Sequence, residues 1–210
     1  MKTKPKDGRS IRAQNIYDEV HKKLVNSAIE LFNNPNVSNE KIQISLIAKN
    51  AGTSAATAYN HFPNNLIDVY GSILNVGFQK VVDSVTEFNR NNPDPYDQLL
   101  SYLLIQVKTA IELGTAVRES FYQFREVLDS GKWIKGEPYL FLKGICNEYA
   151  KLNSHIDATK LANDIFVLWN GNFYLWLRYN PNFEVWSTYT DEWLIQEVNK
   201  IVDKAILLQR

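Results

Sequence analysis

Hydrophobic residues along the chain recur with the spacing of α-helices from near the beginning to the end. The apolar positions repeat three and four residues apart over residues 16–32, 63–89, 96–113, 117–128, 138–152, 159–179 and 194–208. This spacing gathers apolar side chains on one face of a helix. Alternation of apolar and polar residues, which is typical of β-strands, does not extend beyond a few residues. The pattern therefore predicts an all-α fold.

Residues 41–65 differ from the rest because they predict two short helices joined by a tight turn. The apolar residues of the first helix fall on one face: Ile44, Ile47, Ala48 and Ala51. Gly52 can end that helix in the left-handed conformation. Thr53 or Ser54 can cap the second helix, and Pro63 should stop it. Helices this short bury little surface, and the layout is that of a helix-turn-helix, whose second helix enters the major groove of DNA.

Several residues of this segment also match a longer pattern at fixed spacing: Ile47-Ala48, Ala51-Gly52, Ser54, Thr57, Tyr59 and His61-Phe62-Pro63. Through these residues the chain resembles the TetR family of bacterial transcription regulators, over roughly residues 16 to 70. The resemblance implies a helix-turn-helix domain joined to a larger helical domain. It also implies a homodimeric repressor that a small-molecule effector releases from its DNA operator.

Candidate DNA contacts lie on and around the second short helix. Thr57 and Asn60 are one turn apart, where a hydroxyl and an amide can read base edges. Tyr59 and His61 are better placed for backbone phosphates, although both could instead cover the small core. The predicted DNA-binding residues are Ser54, Ala55, Thr57, Tyr59, Asn60, His61, Lys49 and Asn65. Ala55 and Asn65 stand where the family usually has lysine, which predicts fewer phosphate contacts.

Charge is unevenly distributed, although the net formal charge of the chain is zero. Residues 1–65 contain nine Lys and Arg against five Asp and Glu, whereas the remainder contains 14 against 18. A basic excess at the predicted DNA-reading end favours binding to phosphates. Residues 1–12 are predicted to be a flexible basic arm, which either tracks the DNA backbone or is a solvated tail.

The predicted organisation has three parts. Residues 1–12 form the arm, residues 13–65 the helix-turn-helix domain, and residues 66–210 a domain for ligand binding and dimerisation. The predicted helix 63–89 starts where the DNA-reading part ends and enters the larger domain without a linker. We expect that helix to couple the two parts mechanically.

Residues 159–179 are apolar on nearly every side, which predicts a helix buried all round. In residues 191–208, apolar residues recur alternately four and three positions apart, which is typical of helices that pack nearly parallel to each other. Both helices are predicted to form a four-helix homodimer interface, which is also where the TetR family places its dimer contacts. The alternative is that residues 159–179 are buried inside a monomer.

Aromatic residues concentrate on several helices of the larger part, as in pockets for small molecules. The predicted ligand-binding residues are Phe121, Tyr122, Phe124, Arg125, Trp133, Trp169, Asn172, Phe173 and Trp176. Taken singly, each aromatic residue could equally be core. The effector is expected to be largely apolar or aromatic.

Catalytic and metal sites find little support in the sequence. The three histidines share no metal-ligand spacing, and Cys146 is the single cysteine. We therefore expect no enzyme activity, no cofactor and no metal. Residues 1–14 contain no apolar signal region, and no apolar run reaches the about 20 residues that a membrane span requires. The sequence therefore predicts a cytoplasmic protein without membrane contact. Two alternatives remain: a helical ligand carrier or enzyme with a degenerate helix-turn-helix, and a nonspecific architectural DNA binder.

Overall fold

The computed structural model describes residues 8–123 and 137–209 of the chain. Over those ranges the secondary structure is helical without strands, so the predicted all-α fold is confirmed. A 3₁₀ turn at Asn39–Lys41 lies between the first two helices. The α-helices of the described ranges are α1 (Gly8–Asn33), α2 (Ile44–Asn50), α3 (Ala55–His61), α4 (Leu66–Asn91), α5 (Pro95–Tyr122), α6 (Glu137–Leu152), α7 (Ala158–Leu177), α8 (Glu184–Ser187) and α9 (Asp191–Leu207).

Helix α1 is longer than its apolar pattern predicts. It begins at Gly8, so residues 8–12 of the predicted flexible arm are helical, while residues 1–7 lie outside the described ranges. Residues 8–19 are exposed. The spacing of apolar residues therefore does not indicate that this first part of the chain is helical. The short helix α8 was not predicted either, because one helical turn leaves no recognisable period.

The described residues divide between two compact units. The first unit contains those of Met1–Leu74 and Thr115–Trp133. The second unit contains Asn75–Gly114 and those of Ile134–Arg210. We call them unit 1 and unit 2. The division crosses α4 between Leu74 and Asn75 and crosses α5 after Gly114. Unit 1 therefore contains the whole predicted helix-turn-helix domain together with the first part of α4.

Unit 1 is built around the inner faces of α1, α2 and α3. Its fully or almost fully buried apolar residues include Leu24, Val25, Ala28, Ile44, Ile47, Ala48, Ala58, Phe62, Val69 and Ile73. The buried hydroxyl of Ser27 on α1 donates a hydrogen bond of 2.9 Å to the carbonyl of Ile47 on α2. Ile44 and Ile47 of α2, which the spacing of apolar residues predicted on one face, thus share a core with Ala58 and Phe62.

Helix α7 is the central element of unit 2, where it packs against both α6 and α9. Both α7 and α9 have side-chain caps at their first turns. Asp157 accepts from the backbone N–H groups of Thr159 and Lys160, and Thr190 accepts from that of Trp193. Such caps satisfy N–H groups that have no partner inside the helix.

Gly77 allows close packing inside unit 2. A Cβ atom at this position would lie 2.9 Å from Cδ1 of Leu113, a buried residue of α5. Gly77 therefore marks a position where α4 packs closely against α5. None of the helices in the described ranges has the length and apolar character needed to cross a membrane.

Gly114 interrupts α5 with φ 57° and ψ −132°. This conformation lies outside the regions open to residues with a Cβ atom. The sequence predicted separate helical stretches over residues 96–113 and 117–128, and the interruption between them is confirmed.

We expect Gly114→Ala to destabilise the protein by roughly 1–3 kcal/mol, because alanine is strained at this φ and ψ. Gly144→Ala is the matched control. Gly144 lies inside α6, and a Cβ atom at this position would meet open space, so alanine should stabilise by up to about 1 kcal/mol. Urea unfolding of both variants measures the difference, and shifts of equal sign would contradict the assignment.

Candidate nucleic-acid interface

The turn between α2 and α3 is a Schellman motif centred on Gly52. The N–H of Thr53 donates to the carbonyl of Ala48 at 2.9 Å, and the N–H of Gly52 donates to that of Lys49 at 3.2 Å. Gly52 has φ 67°, the left-handed conformation that this motif requires. The glycine thus satisfies the last carbonyls of α2 while turning the chain toward α3.

Ser54 caps α3, and this local role accompanies its predicted role in DNA binding. Its Oγ accepts a 3.0 Å hydrogen bond from the backbone N–H of Thr57 and lies 2.8 Å from the Thr57 Oγ1. The Thr57 hydroxyl is therefore engaged within the protein. Ser54 is exposed and Thr57 is half-buried, and part of the bonding capacity of both hydroxyls is used within the protein.

Helix α3 has two clearly different faces. Ala58 and Phe62, at its inner side and its C-terminal end, are completely buried. The other side carries Ala55, Ala56, Tyr59 and Asn60, all exposed, with Tyr59 47% accessible. We call these four residues the outer face of α3. The buried residues fix the orientation of the helix, and the outer face is left open to a partner.

Lys49 and Asn65 flank α3 and are both exposed. Lys49 lies in the last turn of α2. Asn65 has φ 56°, a left-handed value, and its N–H donates to the carbonyl of Phe62. Next to it, the backbone and side-chain amides of Asn64 donate to the carboxylate of Asp68. These contacts explain why α4 begins at Leu66 and not at the predicted Pro63.

His61 occupies a different environment from the other predicted DNA contacts. Its side chain is only 9% exposed, and its ring stacks on that of Tyr17 with centroids 4.0 Å apart. The ring of His21 lies 5.6 Å away. This burial favours the alternative interpretation, in which His61 covers the small core, over a phosphate contact. Tyr17 and His21 come from α1 and His61 from α3, so the sequence pattern near His61 did not reveal the cluster.

His21 and His61 are both held in surroundings that favour the neutral imidazole. The Nδ1 atoms of both rings are buried and have no hydrogen-bond partner among the described residues, while Nε2 of His21 lies 3.4 Å from Oγ of Ser72. Burial lowers the pKa of both histidines. The nearby His61 also lowers the pKa of His21, whereas Asp18 and Asp68 oppose this shift.

We expect unit 1 to lose stability in acid. A histidine whose pKa is lowered by folding binds protons more weakly than in the unfolded chain, so stability falls as the pH drops below the unfolded pKa of about 6.5. Replacing His21 by glutamine, which keeps a donor for Ser72, should reduce the fall in Tm between pH 7.5 and 5. His155→Gln, which removes an exposed histidine of unit 2, is the control. An unchanged acid response in His21→Gln would contradict this interpretation.

The predicted ligand-binding residues are spread over both units. In unit 2, Trp169, Phe173 and Trp176 are buried in a run of rings with centroids 5.3 and 5.1 Å apart. The Trp176 indole donates to Asp191, and the Asn172 amide donates to a backbone carbonyl of its own helix. These contacts are equally those of core residues, the alternative that the sequence left open.

The remaining predicted ligand-binding residues lie elsewhere. Phe121 and Tyr122 belong to unit 1, where Tyr122 is exposed and Phe121 is half-buried. Phe124, Arg125 and Trp133 lie outside the described residues. The six described members of the predicted set are therefore divided between the units.

The predicted dimerisation helices differ in their exposure. The regularly spaced apolar residues of α9, among them Leu194, Val198 and Ile201, are buried within the chain itself. Within one chain, α7 has one buried face and one exposed face, and the predicted covering of the exposed face by a second chain stays a prediction. That outer face of α7 carries Phe166, Val167, Asn170, Gly171 and Tyr174.

Cys146 is completely buried, and burial raises the pKa of its thiol to about 12. No group of three or more His, Cys, Asp and Glu side chains among the described residues could hold a metal ion.

Comparison of the chain with protein-family models, with curated proteins and with solved structures finds no match.

Proposed function

We propose that this protein is a TetR-like transcriptional regulator, which binds a DNA operator through α3 and is released from it by a small-molecule effector. The observation that carries the proposal is the two-sided character of α3. Its inner side is buried in unit 1, whereas its outer face, Ala55, Ala56, Tyr59 and Asn60, is exposed. A helix of this kind after a glycine turn is the reading element of a helix-turn-helix.

The side chains of the outer face support groove binding. Ala55 and Ala56 are small, so the backbone of α3 can come close to base edges. Tyr59 and Asn60 add a hydroxyl and an amide, which can bond to phosphates and to bases respectively. The first helix of such a motif crosses the DNA backbone, and the exposed Lys49 at the end of α2 is suited to a phosphate.

Basic side chains elsewhere in unit 1 support an electrostatic attraction to the phosphates of DNA. Arg9 and Arg12 line an open depression at the beginning of α1, and Lys22, Lys23 and Lys41 are exposed as well. Each phosphate neutralised by such a side chain releases counterions, which strengthens binding at low salt. In the proposed complex, such cations supply the phosphate contacts that the family pattern assigns to lysines at the positions of Ala55 and Asn65.

Dimerisation through α7 is part of the proposal, because a symmetric operator requires two copies of α3. The outer face of α7 offers exposed apolar side chains at Phe166, Val167 and Tyr174, and Gly171 in their midst lets a second helix approach closely. Dimeric proteins of the helix-turn-helix class place their two reading helices about 34–36 Å apart, in successive major grooves.

The release step rests on α4 and on the aromatic residues of unit 2. Helix α4 contributes residues to both units, so a ligand that prefers a tilted α4 would disfavour the DNA-bound state. Trp169, Phe173 and Trp176 supply apolar surface of the kind that effector pockets use. By linkage, the operator must weaken effector binding by the same factor as the effector weakens operator binding.

Selection from a random duplex library should yield a pseudo-palindromic site, bound at least about a thousandfold more tightly than random DNA at physiological salt. Ala56→Glu should abolish this binding without unfolding the protein, because it places a carboxylate on the exposed face that meets the DNA. Asn26→Glu adds the same charge at an exposed position of α1 and is the control.

The two alternatives predict different results in this experiment. A ligand carrier or enzyme with a degenerate helix-turn-helix would not bind DNA, and an architectural protein would bind without sequence preference. Either result would refute the proposed function.

For the dimer, we expect Val167→Arg to yield monomers in light scattering, because it places a charge in the apolar face of α7. Val185→Arg is a matched control, since Val185 on α8 is 68% exposed and Val167 is 69% exposed. The control should remain dimeric. A monomeric wild type, or a Val167→Arg variant that remains dimeric, would contradict this interface.

A further inference from the structure

We infer that α3 reads A·T base pairs, with Asn60 bonding to an adenine and Ala55 and Ala56 contacting the methyl groups of thymines. This inference rests on the proposed function and names the class of DNA sequence that the site recognises. Its basis is the chemical composition of the outer face of α3 together with the positions of the neighbouring cations.

The outer face presents a restricted set of chemical groups. Its four positions are one, two, five and six in the helix, so their side chains project from the same side. They provide two methyl groups, one phenol and one carboxamide. From Ala55 to His61 the sequence contains neither arginine nor lysine.

The major groove distinguishes base pairs by the groups at their edges. Guanine presents two acceptors, O6 and N7, which arginine or lysine reads, and this is the commonest specific contact. Adenine presents the N7 acceptor beside the N6 donor, which matches the paired donor and acceptor of an asparagine amide. Thymine presents a C5 methyl group, which alanine can contact. The outer face of α3 therefore matches adenine and thymine and lacks the usual reader of guanine.

The other polar groups near α3 do not change this preference. The hydroxyls of Ser54 and Thr57 are 2.8 Å apart, and Ser54 also caps the helix, so their bonding capacity is partly used within the protein. Lys49 lies on α2, the helix that crosses the backbone in this motif. Burial of His61 keeps its ring away from the groove. Asn60 is thus the group best able to discriminate between bases.

The test measures base preference at each position of the selected operator by competition binding. At one position in each half-site, replacing A·T by G·C should weaken binding of the wild type roughly 5- to 150-fold. In Asn60→Ala this preference should disappear. In Asn60→Arg it should turn toward guanine. Asn26→Arg introduces the same side chain at an exposed position of α1 and should keep the adenine preference.

A second measurement uses only the wild-type protein, so it does not depend on how any variant folds. Deoxyuridine in place of thymine removes the C5 methyl group and leaves base pairing intact. We expect each thymine that contacts Ala55 or Ala56 to lose roughly fourfold in affinity on this replacement. Thymines outside the half-sites serve as the control.

The outcomes separate this inference from the proposed function. A selected operator whose half-sites are read as G·C pairs, or one insensitive to both Asn60 substitution and methyl removal, would overturn the inference and leave the regulator proposal intact. Absence of sequence preference, or of DNA binding, would overturn both. Adenine preference that follows the residue at position 60 would establish the inference.

Discussion

The orientation of α3 depends on the burial of Ala58 and Phe62 in the core of unit 1. A helix of seven residues is too short to be stable alone, so tertiary packing must hold it. The Schellman turn at Gly52 sets where α3 begins, and Ser54 satisfies one of the free N–H groups of its first turn, that of Thr57. Packing on one side leaves the other side of α3 exposed, and the proposed reading of DNA depends on this asymmetry.

Local features of the sequence were sufficient to predict much of this arrangement. The all-α fold and the core around Ile47 and Phe62 follow from helical periodicity, and the breaks at Gly52 and Gly114 follow from the freedom of glycine. The extension of α1 to Gly8 could not be predicted from periodicity, because an exposed helix has no buried face. Most of the candidate DNA contacts lie on exposed surface, and their role in binding DNA stays a prediction.

Features that depend on contacts distant in sequence were not accessible in the same way. The histidine cluster brings together α1 and α3, and nothing near His61 in the sequence indicates that Tyr17 covers it. Likewise, the composition of α7 does not tell which of its faces packs against α6 and α9 and which face is exposed within one chain. Periodicity indicates that a side chain is apolar but does not tell whether the chain itself or a partner covers it.

The burial of Cys146 has a practical consequence for studying this protein. Thiol reagents attack the thiolate, and a buried thiol whose pKa is raised to about 12 forms very little of it near neutral pH. Because Cys146 is the single cysteine, a cysteine introduced on the surface would be labelled almost alone. Fluorophores or spin labels can therefore be attached to α3 in the otherwise native sequence, without first removing a competing thiol.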